Sequence, residues 1–385
     1  MTPELTITRR GFSLMRRLAL CWLAAGPASP ALAQDTVPPP LPAAGVPAPK
    51  RVAWFARYQD ARSGPEATET ITRSFKVGQN GSIDIFNLAG PIVVSGGPGD
   101  TIVITAVKRA RGGGGEDGKD QLSAIDIHAV ETGGRVEVRT IVRGKVKQLR
   151  TWVDYSVTVP YGTAVTARAL AGDVKVMKVK GDVQIESTSG SVEAVGTPRL
   201  ARVKTLSGDV LIVDAASSSV LLASTVSGRL VAKGVKAPSI ELATISGDLL
   251  LVNASTDRAQ VRTVSGTLEF VGALLKHGRY EFNSHAGDVR LRLAKTPGFE
   301  LATKTFSGDF RSELPLTMDD PAEPGGTPPH GAPRRRDVRG VFGDGSALVL
   351  VKTFSGSVVV GIDVPKPPAP PLPPKPPAAP KPLPQ

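Results

Sequence analysis

Six aspartates, Asp173, Asp182, Asp209, Asp248, Asp288 and Asp309, each follow a glycine at recurring intervals. Carboxylates in that pattern suggest two chemistries, oxygen ligation of Ca²⁺ and cleavage of a glycosidic bond. Ca²⁺ takes about six to eight oxygens, and calcium-binding nonapeptide repeats supply more ligands per turn through G-G-x-G-x-D. Gly172, Gly181 and Gly190 are nine residues apart, but Ser191, Arg229 and Thr267 interrupt the aspartate column. The aspartates therefore read as turn formers. Glycoside cleavage needs clustered carboxylates, whereas Asp248 and Asp288 recur in register, as structural positions do. His128, His277, His285 and His330 form no metal-ligand spacing, and neither a G-x-S-x-G elbow nor a phosphate-binding glycine loop is present. His285 stands where other repeats carry Leu, Val, Ile or Phe. The one cysteine, Cys21, builds neither a disulfide nor a Cys-based zinc site. These residues predict no enzyme, no metal and no cofactor. The alternative is a carbohydrate-active β-helix enzyme, a lyase or hydrolase.

The glycines belong to a repeat that sets where any such side chain must stand. A [Ser/Ala]-Gly pair recurs with glycine at 172, 190, 208, 228, 247, 266, 287, 308 and 356. The intervals run from 18 to 21 residues, except the last, which is 48 and reads as one rung carrying an insertion. Six copies open on threonine: Thr205, Thr225, Thr244, Thr263, Thr305 and Thr353. Apolar residues stand five before, two after and four after these glycines, except Thr303 and Ser312 around Gly308, the alternation of short strands with one buried face. The period is too short for a crossover helix, and propeller blades need about 40–50 residues. Each coil must stack on the next at about 4.8 Å. The glycine is required where a corner takes positive φ or leaves no room for a Cβ. The predicted fold is all-β, a single-stranded parallel β-helix of about nine or more rungs with a β-rich N-terminal cap.

Around this body the chain divides by composition. Residues 1–33 read as a secretory signal: Arg9-Arg10 and Arg16-Arg17, an apolar run from Leu18 to Ala25, then Ala31-Leu32-Ala33. Thr8–Leu14 also has the form of a twin-arginine export motif. The expected location is therefore the periplasm, the outer envelope or the outside. Residues 34–67 form a Pro-rich linker and a short segment with Trp54, Phe55 and Tyr58 among arginines. Residues 68–160 read as cap and opening coils, with Gly112–Gly115 as a loop between strands. Residues 161–363 form the repetitive solenoid, interrupted at 315–340 by a Pro/Arg-rich stretch. Residues 364–385 are a tail with twelve prolines and three lysines, a composition that favours polyproline II.

Of the whole chain's 47 basic and 35 acidic side chains, cleavage after Ala33 removes four arginines and Glu4, leaving 43 and 34, or +9. No transmembrane span is expected in the mature chain. The basic excess points to an anionic envelope polymer, or the partner is another envelope protein; solubility is the plainer reading. Arg334, Arg335, Arg336 and Arg339 concentrate charge as a possible anion contact. Without aromatics among them they predict no specific nucleic-acid binding.

The segment Asn80-Gly-Ser-Ile-Asp-Ile-Phe-Asn-Leu-Ala-Gly-Pro-Ile-Val-Val-Ser-Gly96, then Val153-Asp-Tyr-Ser-Val-Thr-Val-Pro-Tyr-Gly162, then serial T-x-S-G-D-[V/L] coils, resembles the bacterial putative adhesin family. The resemblance covers residues 70–362. It implies a secreted or envelope β-solenoid with a domain of unknown function.

One surface departs from the pattern of a solvated solenoid. Three residues after the corner glycine the side chain points outward, where Lys175, Glu193, Glu269, Arg290 and Arg311 are polar. In three successive rungs the position is Leu211, Val231 and Leu250, with Val213 and Val252 two residues on. Strands apolar on both faces are normally covered on both. The expected cover is the Trp54/Phe55 segment, the 315–340 stretch or a partner.

Overall fold

Alternation decides which side chains enclose the core. In the coil around Gly247, Ser239–Ser246 turns Ile240, Leu242 and Thr244 inward, and Leu249–Val252 turns Leu249 and Leu251 inward, none above 4 % exposed. The computed structural model describes residues 66–111, 118–143, 151–294, 298–318 and 336–362. All of them belong to the second of the chain's two units, Met1–Gln59 and Asp60–Gln385. Successive coils repeat the Gly247 plan in parallel register, Leu230 pairing with Leu249 and Leu249 with Leu268. The longer strand of each coil thus joins one sheet and the shorter strand another, of fourteen and thirteen strands among the described residues once the strands at both ends are included. The columns are continuous: Val174, Val192, Val210, Leu230, Leu249, Leu268 and Val289 are at most 1 % exposed. Burial of each such side chain contributes about 1.5–3 kcal/mol. The chain is an all-β parallel solenoid, as the period predicts, with a single short helix, Gly118–Ser123, among the described residues.

Two corners close each coil, and they differ in crowding. At the tight corner Gly247 has φ +145, and a Cβ built there would lie 2.0 Å from the carbonyl oxygen of Gly228. At the opposite corner, six residues on, φ is also positive, yet Lys178, Asp214 and Asn253 occupy it. A Cβ on Gly196 at that corner would meet nothing nearer than 3.9 Å. The φ of 50–57 at Lys178, Asp214 and Asn253 lies in the left-handed region that Asn and Asp enter. The φ of +145 at Gly247 lies beyond it, in a region kept to glycine, and the backbone stacked directly above excludes a side chain as well. The stacked backbones bond there, the Gly247 N–H donating to the Ser265 carbonyl at 2.9 Å and the Gly228 N–H to Ser246 at 3.0 Å. Behind it the threonines point inward. Thr205 and Thr225 donate to the carbonyls of Gly190 and Gly208, at 3.3 and 3.1 Å. Thr244, Thr305 and Thr353 occupy the same position with buried hydroxyls that have no partner.

From Gly172 to Gly287 the coils stack in sequence order; at both ends they do not. The Gly356 coil, Ala347–Ser355 and Val358–Ile362, lies between the Gly287 and Gly308 coils. Val349 pairs with Tyr280 on one side and Leu301 on the other, and Val360 with Leu291 and Ser312. This corrects the expectation that each coil stacks on the next in sequence: the Gly308 coil is separated from the Gly287 coil by the coil that follows it. Val349, Val351, Val358 and Val360 give this coil the same inward pattern as any other, so it fits between two coils as well as at an end. The 315–340 stretch is also not wholly loop. Thr317–Met318 and Arg336–Gly343 extend the long-strand sheet, Arg336–Gly343 running antiparallel to Gly298–Ser307.

At the other end a tenth coil has its corner at Gly90, with Ser82–Ala89 and Ile92–Gly97 as strands. It pairs with the Gly172 coil on one side and with Arg135–Val142 and Thr151–Pro160 on the other. Antiparallel strands Ile125–Thr132, Thr101–Arg111 and Glu66–Lys76 finish that end. A buried polar cluster locks cap to coil. The Asn87 amide donates to the carbonyls of Gly90 (3.0 Å) and Val153 (2.8 Å) and accepts from the Thr140 hydroxyl at 2.9 Å. The Tyr155 hydroxyl stands 2.8 Å from Thr140, and burial pushes its pKa up to about 12, so it stays protonated. On the outer strands the Arg109 guanidinium bonds Glu66 and Asp154, at 3.0 and 2.7 Å. That guanidinium holds Glu66 below the usual carboxylate range, while burial raises Asp154 despite it.

The export signal, the linker with Trp54, Phe55 and Tyr58, the Gly112–Gly115 loop, His330, Arg334, Arg335 and the Pro-rich tail lie outside the described residues.

Two outcomes follow from this packing. Gly247→Val should cost about 3 kcal/mol or more, because backbone strain of roughly 1–3 kcal/mol adds to a clash with fixed backbone. Asp248→Asn should cost under about 1 kcal/mol. Urea denaturation measures both, and hydrogen exchange should show protection lost first around Gly228 and Gly266. Deletion of residues 347–362 should remove amide protection from both Arg279–Leu293 and Gly298–Ser312. Loss confined to Gly298–Ser312 would mean that the coils stack in sequence order.

Candidate functional site

Three columns of side chains meet the solvent around the tight corner, and the aspartates are the first. Asp173 accepts the backbone N–H of Ser191 at 2.6 Å, Asp209 that of Arg229 at 2.8 Å, Asp248 that of Thr267 at 3.0 Å and Asp288 that of Ser357 at 2.9 Å. Each carboxylate thus caps the corner of the next coil. In stacking order the column reads Asp173, Ser191, Asp209, Arg229, Asp248, Thr267, Asp288, Ser357, Asp309, a strict alternation that appears only because the Gly356 coil separates Asp288 from Asp309. Carboxylates therefore stand two rungs, roughly 10 Å, apart, where solvent and salt screen them. The interruptions in the aspartate column are half of this pattern. Asp182 has a different partner, Arg199, at 2.9 Å. Among the described residues no group of three or more His, Cys, Asp and Glu is placed to hold a metal ion.

The second column lies two residues before each corner glycine. Leu170, Leu206, Ile245 and Val264 are 47–51 % exposed, and Phe306 is 74 % exposed. At one end the ridge is aromatic. His285 stacks on Phe354 with ring centroids 4.9 Å apart, and Phe354 on Phe306 at 4.8 Å, with interplanar angles of 11° and 4°. One ring per coil is possible only with Phe354 between the other two, so the stack is another product of the inserted coil. His285 is thus part of an exposed aromatic ridge. Strand parity was the signal for this ridge: positions three and five before the glycine face inward, so position two before it must face out.

The third column, four residues before the glycine, lines the outer face of the long-strand sheet. In stacking order it runs Lys204, Ser224, Ala243, Arg262, Asn283, Lys352, Lys304. Small side chains at Ser224 and Ala243 leave a trough of ≈ 280 Å³, which adjoins a wider depression of ≈ 670 Å³ beside the aromatic stack; Arg262 lines both. Arg202, Lys204, Arg262, Lys304 and Lys352 border these depressions, against the acids Glu241 and Asp337. No ion pair joins any of these five cations to another described residue.

On the short-strand sheet Leu211, Val213, Val231, Leu250 and Val252 face outward and are half-buried by their neighbours in the stack. Polar pairs flank them, Lys175 with Glu193 at 2.9 Å and Glu269 with Arg292 at 3.1 Å. The described ends of the 315–340 stretch extend the other sheet and do not lie on this stripe. Arg339 is exposed on that edge opposite Ala302, and Arg336 opens the same strand opposite Thr305.

Fold and surface together define a capped parallel β-solenoid whose coils present aligned columns to solvent. The chain belongs to the Toastrack DUF4097 family, whose model matches residues 129–328. Among solved structures it is similar to a putative adhesin from Bacteroides fragilis, at 13 % identity over 76 % of this chain and 97 % of that one, with a TM-score of 0.34. A putative adhesin from Parabacteroides distasonis matches at 10 % identity over 76 % and 97 %, TM-score 0.29. A putative cell adhesion protein from Clostridium sporogenes matches at 6 % identity over 77 % and 100 %, TM-score 0.22. Among curated proteins none shows significant similarity.

The alternation is directly testable. Ser357→Asp sets three carboxylates on consecutive rungs and should cost about 1 kcal/mol at pH 7. Repulsion raises their folded-state pKa values, so the deficit should shrink as pH falls through and below about 4. Ser357→Asn should cost less and show no such pH dependence in thermal melts.

Proposed function

We propose that this is an exported, non-enzymatic surface protein of the cell envelope that binds or scaffolds through its outer faces. The observation that carries the reading is the exposed apolar ridge at the tight corner, in line over successive coils and bordered by unpaired cations. A solvated body has no need of aligned apolar side chains half open to water. The signal-like N-terminus supports export, and no helix among the described residues is long and apolar enough to cross a membrane. An anionic envelope polymer is the partner that suits the basic face. The stripe at Leu211, Val231 and Leu250 offers a second surface for another envelope protein.

A glycosidase reading fits the carboxylates less well. Those of the corner cap backbone amides. Glu241 and Asp337, the acids that line the two depressions, are five strand spacings apart, roughly 24 Å. Glycoside cleavage places its two carboxyl groups within about 10 Å. Glu281 stands two spacings from Glu241 on the same face. It is bound by the Arg279 guanidinium at 2.7 Å and by the Gln260 amide, and that guanidinium holds it below the usual carboxylate range, the wrong direction for a proton donor.

The test is co-sedimentation of the mature chain with bacterial envelope fractions, with and without residues 365–385. The expected result is retention that weakens as salt rises, with no new reducing ends from any polysaccharide. A chain that stays in the supernatant at low salt would overturn the surface-binding reading, and released sugar would restore the enzyme.

A further inference from the structure

We infer that the trough on the long-strand sheet binds an acidic polysaccharide, a linear uronic-acid polymer lying along the solenoid axis. Arg262, Lys352 and Lys304 meet its carboxylates, and Val264, Phe354 and Phe306 meet the apolar faces of its sugar rings. This deepens the surface-binding reading and rests on it.

The charge pattern comes first. Five cations border the two adjoining depressions against two acids, and none of the five is in an ion pair with a described residue. On the short-strand sheet, by contrast, neighbouring coils neutralise one another through Lys175–Glu193 and Glu269–Arg292. Unpaired cations in line create a field that draws anions, and carboxylates are acceptors for charge-assisted bonds from Lys and Arg.

Shape narrows the ligand further. The trough crosses seven coils, from the Gly208 coil to the Gly308 coil, which is roughly 30 Å at the strand spacing. It is shallow and open along its length, so it suits an extended chain better than a compact molecule. In its wider part the side wall is the apolar ridge, through Val264, Phe354 and Phe306, while the floor is small, polar or basic, so an occupant there must be apolar on one flank and anionic on another. Uronic-acid rings have that character, with C–H faces and carboxylate edges. A single-stranded nucleic acid shares the charge and the linearity but gains its affinity by stacking bases on aromatic faces. Here Phe354 is held between His285 and Phe306 at 4.8–4.9 Å and presents its edge, so a single stack of three rings offers no series of free faces to successive bases.

The experiment compares the full mature chain and two double variants for binding polygalacturonate, neutral dextran and poly(dT), with thermal melts confirming that each variant folds. Lys304→Glu/Lys352→Glu reverses charge in the trough. Lys233→Glu/Arg311→Glu makes the same change in net charge on the exposed short-strand face. The expected result is salt-sensitive binding of polygalacturonate but not dextran. It should weaken at least tenfold in the trough variant, severalfold in Phe306→Ser and less than twofold in the short-strand variant. Equal losses in both double variants, no binding of polygalacturonate, or tighter trough-dependent binding of poly(dT) would each overturn the assignment. Envelope fractions that retain the trough variant undiminished would overturn this site alone and leave the surface-binding reading standing. Fractions that retain neither chain would remove both.

Discussion

The approach of one corner backbone to the next sets the terms for the rest of the molecule. At the tight corner the carbonyl of Gly228 fills the space where a side chain on Gly247 would begin. Each glycine N–H bonds the serine or alanine carbonyl of the neighbouring coil. No other residue type permits both contacts, so every coil is fixed in register at that point, and the flanking strands inherit the register in both directions. The opposite corner carries no such restriction. It holds lysine, aspartate, asparagine and glycine in turn, and coil length varies without disturbing the core.

Fixed register makes the surface a set of aligned columns, and alignment makes each column a collective object. Like charges in adjacent rungs would repel, so the corner aspartates occur in every second coil and use their oxygens on amides. Aromatic residues in adjacent rungs instead reinforce one another, which gives the His285–Phe354–Phe306 stack. The inward columns hold apolar residues and the small hydroxyls of threonine and serine, with Asn87 the exception in the Gly90 coil. The outward columns are free to vary, and it is there that the two sheets differ, the long-strand face alone gathering five cations outside any ion pair beside its depressions.

Much of this was legible because the repeat is local. Spacing of the glycines and parity around them give the coil, the direction of each side chain and the need for glycine itself. The position of the last coil was not legible, since Thr353-Phe-Ser-Gly356 and Thr305-Phe-Ser-Gly308 are interchangeable as local patterns. Which coil a strand pairs with is decided by packing between coils, and sequence order is a poor guide when 48 residues separate two corners. Asp288 and Asp309 fall in consecutive repeats of an otherwise alternating series, and that break was the available clue. The exposed ridge was hidden for a different reason: an apolar residue invites assignment to the core, and only strand parity places Leu206 or Ile245 outside it. The strand Arg336–Gly343 was masked by the proline- and arginine-rich composition leading into it.

The inserted coil also changes how the body bears load. Were the coils in sequence order, the chain beyond Ile362 would leave from the outermost rung, and tension there would peel one hydrogen-bonded strand at a time from a free edge. Instead Val358–Ile362 is held by Val289–Leu293 on one side and Phe310–Ser312 on the other. A pull on the C-terminal extension therefore works against two ladders at once, with an antiparallel strand closing the long-strand sheet beyond them. The solenoid is built to resist extraction from the end at which a tether would act.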